Sequence, residues 1–598
     1  MTFFQPFTIP FVAGALIMFS IIAFKWTLWI MRLPRSDKRI MGRNILTRNT
    51  LHAMWEVVRE SLLHVRIFRV NPLLGYMHAS LAFGWFLLIV VGWIETSVYM
   101  GAEFVPLQGH VFFDYFVPSL GLTTHYPIFE HLMDALLLVV LIGVAIAWFK
   151  RLYSKALGMR RTTKHRIMDR IALSALWFIF PARLVAESLT VAHYGGGGFL
   201  TGSIGVWLGD MLPHDVLTMV YEPAWWTYSS LLGLFFVALP FSRYMHIFTE
   251  IPLIFLRSWK LRPTAERKSY DNFEVEACSR CGICIDPCQL QADLGIHDTQ
   301  SVYFLRARRY NMLSLKVANN CLMCGRCEAQ CPVGINLNTL RLNSRAKRRN
   351  ITHEGRFKYL EGVDPSSGAG KVGFFAGCMT SLTPAVQRSM RTIFEAVGED
   401  VWYADSEGGV CCGRPLMLTG ETDASRRMME ANSALIRKHG ITTLVTPCPI
   451  CLKVFRENYG LSDVEIIHHT EYIDRLIAEG RLKLKSSATT YTYHDPCELG
   501  RGLGIYDAPR RVVKAVGALA EPKHSRRDAL CCGASLANTV IDDQQQLRIV
   551  QRMTAELEST GCDTIVTACP LCNKSINRAS QRPAHDMSEI VARNIDCV

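Results

Sequence analysis

Residues 278–288 read C-S-R-C-G-I-C-I-D-P-C, and residues 321–332 read C-L-M-C-G-R-C-E-A-Q-C-P. Each stretch places four cysteines with the spacing C-x2-C-x2-C-x3-C. In paired iron–sulfur sites of this spacing, three closely spaced thiolates hold one [4Fe–4S] cubane and the fourth thiolate ligates the other. Zinc needs four ligands per site but no doubled run, and disulfides do not explain the regular spacing. The pattern therefore predicts two cubane clusters.

The same rule assigns the ligands of each cubane. It predicts that one cubane is held by Cys278, Cys281, Cys284 and Cys331, and the other by Cys288, Cys321, Cys324 and Cys327. Gln289 departs from the pattern, because a proline usually follows the fourth cysteine, whereas Pro332 keeps it. The segment between the two runs has a helical pattern, so an α-helical two-[4Fe–4S] domain is expected over residues 265–350.

The first 260 residues have the composition of a membrane anchor. Five apolar stretches are long enough to cross a bilayer as helices, at about 11–31, 73–94, 127–149, 171–192 and 224–246. The first of them has no Lys or Arg before Lys25, so it lacks the basic start of a signal peptide. We therefore expect an all-α, five-helix transmembrane domain over residues 1–260.

The connecting loops alternate in charge. The first and third loops are rich in basic residues (Arg32, Arg35, Lys38, Arg39, Arg43, Arg48; Lys150, Arg151, Lys155, Arg160, Arg161, Lys164), whereas loops 95–125 and 194–222 contain no Lys or Arg. The positive-inside rule then predicts a multi-pass protein of a bacterial or archaeal inner membrane, with the N-terminus outside and the cysteines in the cytoplasm. The net charge of +13 follows this topology, so no nucleic-acid partner is expected.

Histidines in the spans are candidate haem ligands. His78 lies between one and two turns into the second span, counted from its cytoplasmic end. His246 lies at the cytoplasmic end of the fifth span. Two imidazoles at similar depth on antiparallel helices suit a bis-histidine haem b. His131 and His193 match each other on the outer side, so one or two haems are predicted. A wetted interfacial histidine is the alternative interpretation for each.

Two pairs of ionisable residues lie four apart within or beside the spans. Arg183 and Glu187 share one face near the middle of the fourth span, and Glu130 and Asp134 share one at the outer start of the third. Such groups are costly in a bilayer unless they are paired or used. Each pair is either an ion pair or polar contact that fixes helix packing, or part of a quinone or proton site.

The remaining chain repeats one cysteine unit with a period near 120 residues. Each unit has a lone cysteine, a Cys-Cys-Gly and a C-x-x-C, which are Cys378, Cys411, Cys412, Cys448 and Cys451 in the first and Cys497, Cys531, Cys532, Cys569 and Cys572 in the second. Strand-like runs precede the lone cysteine (Val372–Ala376, Tyr491–His494) and the C-x-x-C (Thr443–Thr446, Thr564–Thr567). An α/β fold is predicted for each unit, over 371–485 and 490–598. Cys562 is expected to be a buried small residue and Cys597 part of the tail.

These units resemble the duplicated cysteine-rich CCG domain of heterodisulfide reductases and related iron–sulfur oxidoreductases. The resemblance implies one non-cubane [4Fe–4S] cluster on the five cysteines of each unit, which would be catalytic. The anchor resembles the haem b-bearing gamma subunit of respiratory nitrate reductase and the membrane subunit of membrane-bound heterodisulfide reductase, with His78 and His246 at the matching positions. The family usually has a further histidine ligand early in the last span, and this chain has Trp226, Thr227 and Tyr228 there. Fused chains of this type also resemble membrane acceptors for electron-transferring flavoprotein and other cytoplasmic dehydrogenases.

Three functions fit these observations. The first is a membrane oxidoreductase that exchanges electrons between menaquinone and a cytoplasmic flavoprotein or dehydrogenase. The second is a disulfide or heterodisulfide reductase acting at the CCG clusters, and the third is a non-catalytic electron-transfer subunit of a larger complex. No Gly-rich phosphate loop follows a strand, so a flavin or nicotinamide site is expected on a partner in a hetero-oligomeric complex. The basic run Arg341, Arg345, Lys347, Arg348 and Arg349 is expected to be a solvated face, or a surface for an acidic partner or lipid.

Overall fold

The computed structural model describes residues 3–101, 103–118, 128–153, 165–261, 268–346, 364–405 and 410–596. The chain forms two compact units. The first contains Met1–Gly282 and Pro332–Ile335, and the second contains Ile283–Cys331 and Asn336–Val598. The basic residues at 155, 160, 161 and 164, and those at 347–349, lie outside the described residues, as does Cys597.

The regular secondary structure of the first unit, in its described part, is all helical. Its helices are α1 (Ile9–Met31), α2 (Arg35–Asn44), α3 (Arg48–Val57), α4 (Val65–Val70), α5 (Pro72–Met100), α6 (Leu107–Val111), α7 (Phe113–Phe116), α8 (Ile128–Leu152), α9 (Ile167–Tyr194), α10 (Thr201–Met211), α11 (His214–Ala238), α12 (His246–Ser258) and α13 (Lys268–Glu276). Among the described residues, five helices are long and apolar enough to cross a membrane, namely α1, α5, α8, α9 and α11 with their short extensions. The predicted number of spans is confirmed.

The fifth span differs from its prediction of 224–246. Its helical segment runs from His214 to Phe241, so it starts ten residues earlier and ends before His246. The stretch 194–222 contains Asp210, Asp215 and Glu222, which concealed the helix start after Pro213. At the other end, Ser242 accepts a hydrogen bond from Tyr244 N at 3.2 Å and begins a new turn. His246 therefore lies at the start of α12 and not in the span.

Close helix packing holds the spans together. The backbones of α1 and α11 meet at Gly14 and Gly233, where a Cβ on Gly14 would come within 2.7 Å of the Gly233 Cα. Small residues at such crossings allow close van der Waals contact, which drives helix association in lipid. Beyond the spans, α13 buries Tyr270 and Phe273, and the Phe273 ring meets Trp29 edge-on at 4.9 Å. This packing joins the segment before Cys278 to the anchor.

The second unit begins with short helices and continues with two α/β repeats. Its helices are α14 (Gln289–Ala292), α15 (Ser301–Arg309), α16 (Leu315–Asn319), α17 (Arg326–Ala329), α18 (Leu337–Ala346), α19 (Pro384–Ala396), α20 (Arg414–Thr419), α21 (Thr422–Lys438), α22 (Pro449–Asn458), α23 (His469–Ala478), α24 (Gly500–Leu503), α25 (Asp507–Val516), α26 (Asp543–Glu558), α27 (Pro570–Asn577) and α28 (Met587–Arg593). Its strands are β1 (Val372–Phe374), β2 (Val401–Tyr403), β3 (Thr443–Thr446), β4 (Glu465–His468), β5 (Thr490–His494), β6 (Ala518–Ala520), β7 (Thr564–Thr567) and β8 (Ala584–Asp586).

The two repeats have the same sheet topology. One parallel sheet has the order β2-β1-β3-β4 and the other β6-β5-β7-β8. The four predicted strand runs correspond to β1, β3, β5 and β7, which are the two central strands of each sheet. Cys562 is fully buried before β7, as predicted. The structure thus confirms a duplicated α/β fold.

A buried polar contact joins the two repeats. Asp586 accepts hydrogen bonds from Ser588 N at 2.9 Å and Ser588 Oγ at 2.8 Å, so it caps α28. The same carboxylate oxygen lies 3.0 Å from Nε2 of His469, which opens α23 in the first repeat. Both side chains are fully buried. One carboxylate therefore serves a helix cap and the repeat interface together.

We predict that Asp586→Ala lowers the stability of the full-length protein by about 1–3 kcal/mol, because it leaves buried donors of His469 and Ser588 unpaired. Thermal unfolding of the detergent-solubilised chain measures this. Asp586→Asn is the matched control, since it retains an acceptor oxygen, and its loss of stability should be clearly smaller. Equal stability of the alanine variant and the unchanged protein would contradict the role assigned to this contact.

Candidate functional site

The cysteines of each α/β repeat lie where central strands end and helices begin. In the first repeat Cys378 follows β1, and Cys448 is the N-cap of α22 after β3. Cys411 and Cys412 precede Gly413, whose φ of +81° permits the turn into α20. In the second repeat Cys497 follows β5 and Cys569 is the N-cap of α27, whereas the turn at Gly533, after Cys531 and Cys532, is not followed directly by a helix. Helix N-termini favour anionic groups, so thiolates are stabilised there.

The five thiols of each repeat form a chain of contacts in the same order. In the first repeat Cys378 contacts Cys411, then Cys412, Cys451 and Cys448 follow in turn. In the second the order is Cys497, Cys531, Cys532, Cys572 and Cys569. The Sγ atoms of Cys532 and Cys572 are 3.2 Å apart. The two repeats therefore share the order of their thiol contacts as well as the spacing of their cysteines.

This donor set fits an iron–sulfur cluster. The described cysteines are all free thiols, and thiolate is the ligand that iron–sulfur clusters prefer. Hydrogen bonds from Cys411 and Cys451 lower the pKa of the buried Cys412 thiol to about 5. Within the described part of the chain, no three His, Cys, Asp or Glu side chains already surround a single metal-ion position. The fit rests on the five converging thiols and on their N–H donors, such as Gly413 N at 3.4 Å from Cys411 Sγ.

The structure brings together the four cysteines predicted for one cubane. Cys327 lies among Cys288, Cys321 and Cys324, and Ser301 Oγ is 3.2 Å from Cys327 Sγ. Met323 N donates to Cys321 Sγ at 3.3 Å. The cysteines predicted for the other cubane are divided between the units, with Cys278 and Cys281 in the first and Cys284 and Cys331 in the second. That ligand set stays a prediction.

Asp169 connects the loop of Cys278 and Cys281 with the turn before His246. It is fully buried and forms an ion pair with the buried Arg280, which lies between these two cysteines. The same carboxylate oxygen accepts a hydrogen bond from Arg243 N at 2.8 Å. The carbonyl of Arg243 in turn lies 2.8 Å from His246 Nδ1. A backbone contact at Nδ1 is the arrangement that directs Nε2 of a histidine towards a metal.

The structure places a further histidine, His64, beside the predicted pair. His78 has His246 in its surroundings, but its ring stacks on His64, with centroids 5.6 Å apart. His64 Nδ1 lies 2.9 Å from the carbonyl of Leu62, which resembles the setting of His246. His64 was missed because it lies outside the apolar spans, at the end of a polar loop.

At the other end of the bundle, His193 stacks on His214 at 4.9 Å, whereas His131 contacts Phe199. The predicted partner of His193 was His131. The early start of the fifth span accounts for the difference, because it brings His214 onto a helix beside α9.

The two pairs of charged residues have different surroundings. Arg183 Nε is 2.6 Å from Glu187 Oε1, with both side chains about 10% exposed. Asp114 and Tyr228 also hydrogen-bond into this pair, and the sequence did not indicate either. Asp134 instead accepts hydrogen bonds from Leu200 N at 2.7 Å and Thr201 N at 3.0 Å. Asp134 is therefore a cap for α10, which favours the structural interpretation of that residue.

Two members of the predicted basic run are buried. Arg341 is 1% exposed and donates to the carbonyls of Val317 and Thr299. Arg345 is 3% exposed and donates to Ala318 O at 3.0 Å and Leu418 O at 2.9 Å. These arginines are not a solvated face or a partner surface. They hold the backbone that leads into Cys321.

Comparison with known families agrees with the cysteine geometry. Residues 274–335 match the 4Fe-4S dicluster domain, and residues 372–456 and 491–577 each match the cysteine-rich domain CCG. The chain carries one dicluster domain and two CCG domains. Both CCG matches span the lone cysteine, the Cys-Cys-Gly and the C-x-x-C of their repeat.

Relatives of the chain are membrane-linked iron–sulfur oxidoreductases. It is 22% identical to the EtfAB:quinone oxidoreductase of Syntrophomonas wolfei, over 92% of this chain and 93% of that protein. It is 24% identical to one subunit of the dihydromethanophenazine:CoB–CoM heterodisulfide reductase of Methanosarcina acetivorans, over 51% of this chain and 88% of that protein. A probable membrane-anchored ferredoxin of Chromohalobacter salexigens is 29% identical over 30% of this chain and 29% of its own length.

We predict that His246→Ala and His78→Ala each abolish a bis-histidine haem b spectrum, because each removes one of two axial ligands. Optical spectra of the purified, dithionite-reduced protein test this, with iron content of the dicluster and CCG domains as the control for assembly. His64→Ala should retain the haem if His78 is the ligand. A full haem spectrum in His78→Ala together with its loss in His64→Ala would transfer the assignment to His64.

Proposed function

We propose that this protein is a membrane oxidoreductase that exchanges electrons between the quinone pool and a cytoplasmic flavoprotein or dehydrogenase. The observation that carries the proposal is the similarity to an EtfAB:quinone oxidoreductase over 92% of the chain, which includes the anchor, the dicluster domain and both CCG domains. Menaquinone is the expected quinone. An electron-transferring flavoprotein is the favoured partner, and the functional form is a hetero-oligomer.

The proposed topology follows the charge of the loops. The N-terminus lies outside an inner membrane, and the dicluster and CCG domains lie in the cytoplasm. In this arrangement the buried cluster of Arg183, Glu187 and Asp114 belongs to the outer half of the bundle. His78 and His246 belong to the cytoplasmic half, at the end from which the chain continues towards Cys278.

The chain supplies proton and ligand groups for this reaction. Oxidation of a quinol releases two protons and two electrons, so a quinol site needs a group that accepts a proton. Glu187 Oε1 and the Asp114 carboxyl are the proposed acceptors, and Arg183 keeps the charged carboxylate stable in a dry site. A haem b held by His78 and His246 would supply one-electron chemistry, as would clusters on the cysteine sets described above.

A second function, reduction of a disulfide substrate, is favoured by a specific observation. A cavity of about 40 Å³ lies beside the thiols of the second CCG domain. All five of these cysteines line it, Cys497, Cys531, Cys532, Cys569 and Cys572, and its other walls are largely apolar, from Leu322 to Leu571. A small disulfide could approach the thiol ligands there. Relatedness to a heterodisulfide reductase supports the same alternative.

We predict that Glu187→Gln slows quinol turnover by about 100-fold, because the amide cannot accept the proton that the carboxylate takes in the reaction. Stopped-flow reduction of the protein by a menaquinol analogue measures the rate, and reduction by dithionite should be unaffected. Asp134→Asn is the matched control, since Asp134 is a buried carboxylate used as a helix cap. Unchanged quinol kinetics in an assembled Glu187→Gln protein would leave Arg183 and Glu187 as a packing pair.

We predict that the double variant Cys531→Ser, Cys532→Ser loses the cluster of the second CCG domain and stops electron exchange with the flavoprotein. Quinol should still reduce the haem and the cubanes, because their proposed ligands are untouched. EPR spectra and iron content report which centre is lost. If exchange continues with that centre absent, the partner receives its electrons elsewhere. Reduction of a small disulfide by the unchanged chain alone would favour the second function.

A further inference from the structure

The dicluster domain and the second CCG domain meet at two cysteines. Cys324 packs against the buried cluster that contains Cys531, Leu290 and Leu322. Cys324 belongs to the predicted cubane set, and Cys531 belongs to the second CCG set. Nearby, Ser535 Oγ donates to Leu322 O at 2.7 Å, so the loop of Cys321–Cys324 is fixed to the segment that follows Cys532.

Gln289 holds the backbone of Cys531 from the dicluster side. Its amide accepts a hydrogen bond from Cys531 N at 2.7 Å and donates to Cys531 O at 3.2 Å. The side chain is 2% exposed. Gln289 directly follows Cys288, another predicted ligand of the same cubane. Gln289, which replaces the usual proline, thus connects the predicted cubane set with the cysteines of the second CCG domain.

Arg501 lies at the same junction, and one of its guanidinium nitrogens has no hydrogen-bond partner among the described residues. Its Nε donates to Cys324 O at 2.6 Å, and its Nη1 donates to Ala529 O at 2.7 Å. Its Nη2 is buried without a partner in the described structure. The positive charge acts on Cys324, Cys497 and Cys531. A buried guanidinium with a spare donor among thiols is suited to an anionic group held by them.

The first CCG domain has no arginine at the corresponding place. Arg501 is four residues after the lone Cys497, and the residue four after Cys378 is Leu382, which is 46% exposed. The buried arginine of the first domain is Arg414, which has Glu498 at 3.8 Å as a counterion. The two CCG domains therefore share the order of their thiol contacts but differ in how the nearby arginine is paired: Arg414 has the carboxylate of Glu498, whereas Arg501 donates to backbone carbonyls.

We propose that Arg501 and Gln289 are positioning residues of a junction between the dicluster domain and the second CCG domain. Arg501 stabilises the added negative charge of reduction on the groups held at Cys324 and at Cys497 and Cys531, and so raises their reduction potentials. Gln289 fixes the Cys531 backbone, and with it the direction of the thiol. The inference rests on the cluster assignments of the proposed function but not on the identity of the quinone or the partner.

EPR-monitored redox titration of the full-length, detergent-solubilised protein tests the role of Arg501. In Arg501→Gln the reduction equilibrium constants of one cubane and of the second CCG cluster should each fall at least tenfold, which is about 59 mV for one electron. The other cubane and the first CCG cluster should not shift. Arg501→Lys should recover part of the change because it keeps the charge. Arg511→Gln is the matched control, since Arg511 is exposed and paired with Asp474.

Four unchanged midpoint potentials in an iron-replete Arg501→Gln protein would overturn the proposal, as would an equal shift of all four centres. These titrations use dithionite and mediators, so they report on the junction even if the chain fails to react with quinol. Failure of the proposed function is seen separately, as absent quinol reduction in the unchanged protein.

The variant Gln289→Pro tests the second residue. Proline suits this position because Gln289 is the first residue of α14, so the helix should be retained while both hydrogen bonds to Cys531 are lost. We expect an altered EPR line shape of the second CCG cluster, without the tenfold fall in the cubane's reduction equilibrium constant seen for Arg501→Gln. An unchanged line shape would show that Gln289 has no influence on Cys531.

Discussion

Buried arginines that bind backbone carbonyls are the interaction on which the thiol sites of the second unit depend. Arg326 donates to Pro287 O, Arg341 to Val317 O and Thr299 O, Arg345 to Ala318 O and Leu418 O, and Arg501 to Cys324 O. Removing a guanidinium from water costs several kcal/mol, and neutral carbonyls offset only part of that cost. For Arg326, Arg345 and Arg501, nearby thiolates and the anionic clusters that they would bind supply the missing negative charge. The arginines and the thiols therefore stabilise each other, and neither set is expected to be stable alone.

The central strands and the cysteine positions could be predicted because their signals are local. The runs T-L-V-T and T-I-V-T of β3 and β7 are short, β-branched and followed closely by cysteine and proline. None of the edge strands β2, β4, β6 and β8 was identified. Ala518–Ala520 and Ala584–Asp586 contain no β-branched residue, but Val401–Tyr403 and Glu465–His468 do, so composition alone does not explain the difference. Their positions depend on pairing with the central strands, which is a long-range property. The spacing of the cysteines likewise indicated the ligand types but not how the sets would meet.

The membrane half shows the same limit for charged residues. Glu187 and Asp134 had equivalent signals in the sequence, because each is an acidic residue four positions from another ionisable group. The structure distinguishes them by partners that lie far away along the chain. Asp134 accepts hydrogen bonds from the backbone of Leu200 and Thr201. The pair formed by Arg183 and Glu187 instead has a third ionisable residue, Asp114, as its neighbour. The sequence thus shows where an acidic residue lies within an apolar span. Only the fold decides whether that residue caps a helix or remains available for chemistry.

Duplication of the CCG domain produced two ligand sets that differ only in their surroundings. The sheets have one topology and the thiols one order of contacts, so the two sets offer the same five ligands in the same order. Reduction potentials of iron–sulfur clusters respond to nearby charge, hydrogen bonds and burial. Arg414 of the first repeat is 3.8 Å from Glu498, which directly follows Cys497 and also lies 3.0 Å from Lys453. Arg501 beside the second set instead donates to the neutral carbonyls of Cys324 and Ala529. Once the surrounding charges diverged, a repeated domain could provide two centres of unequal potential, which is what directed electron flow along a chain requires.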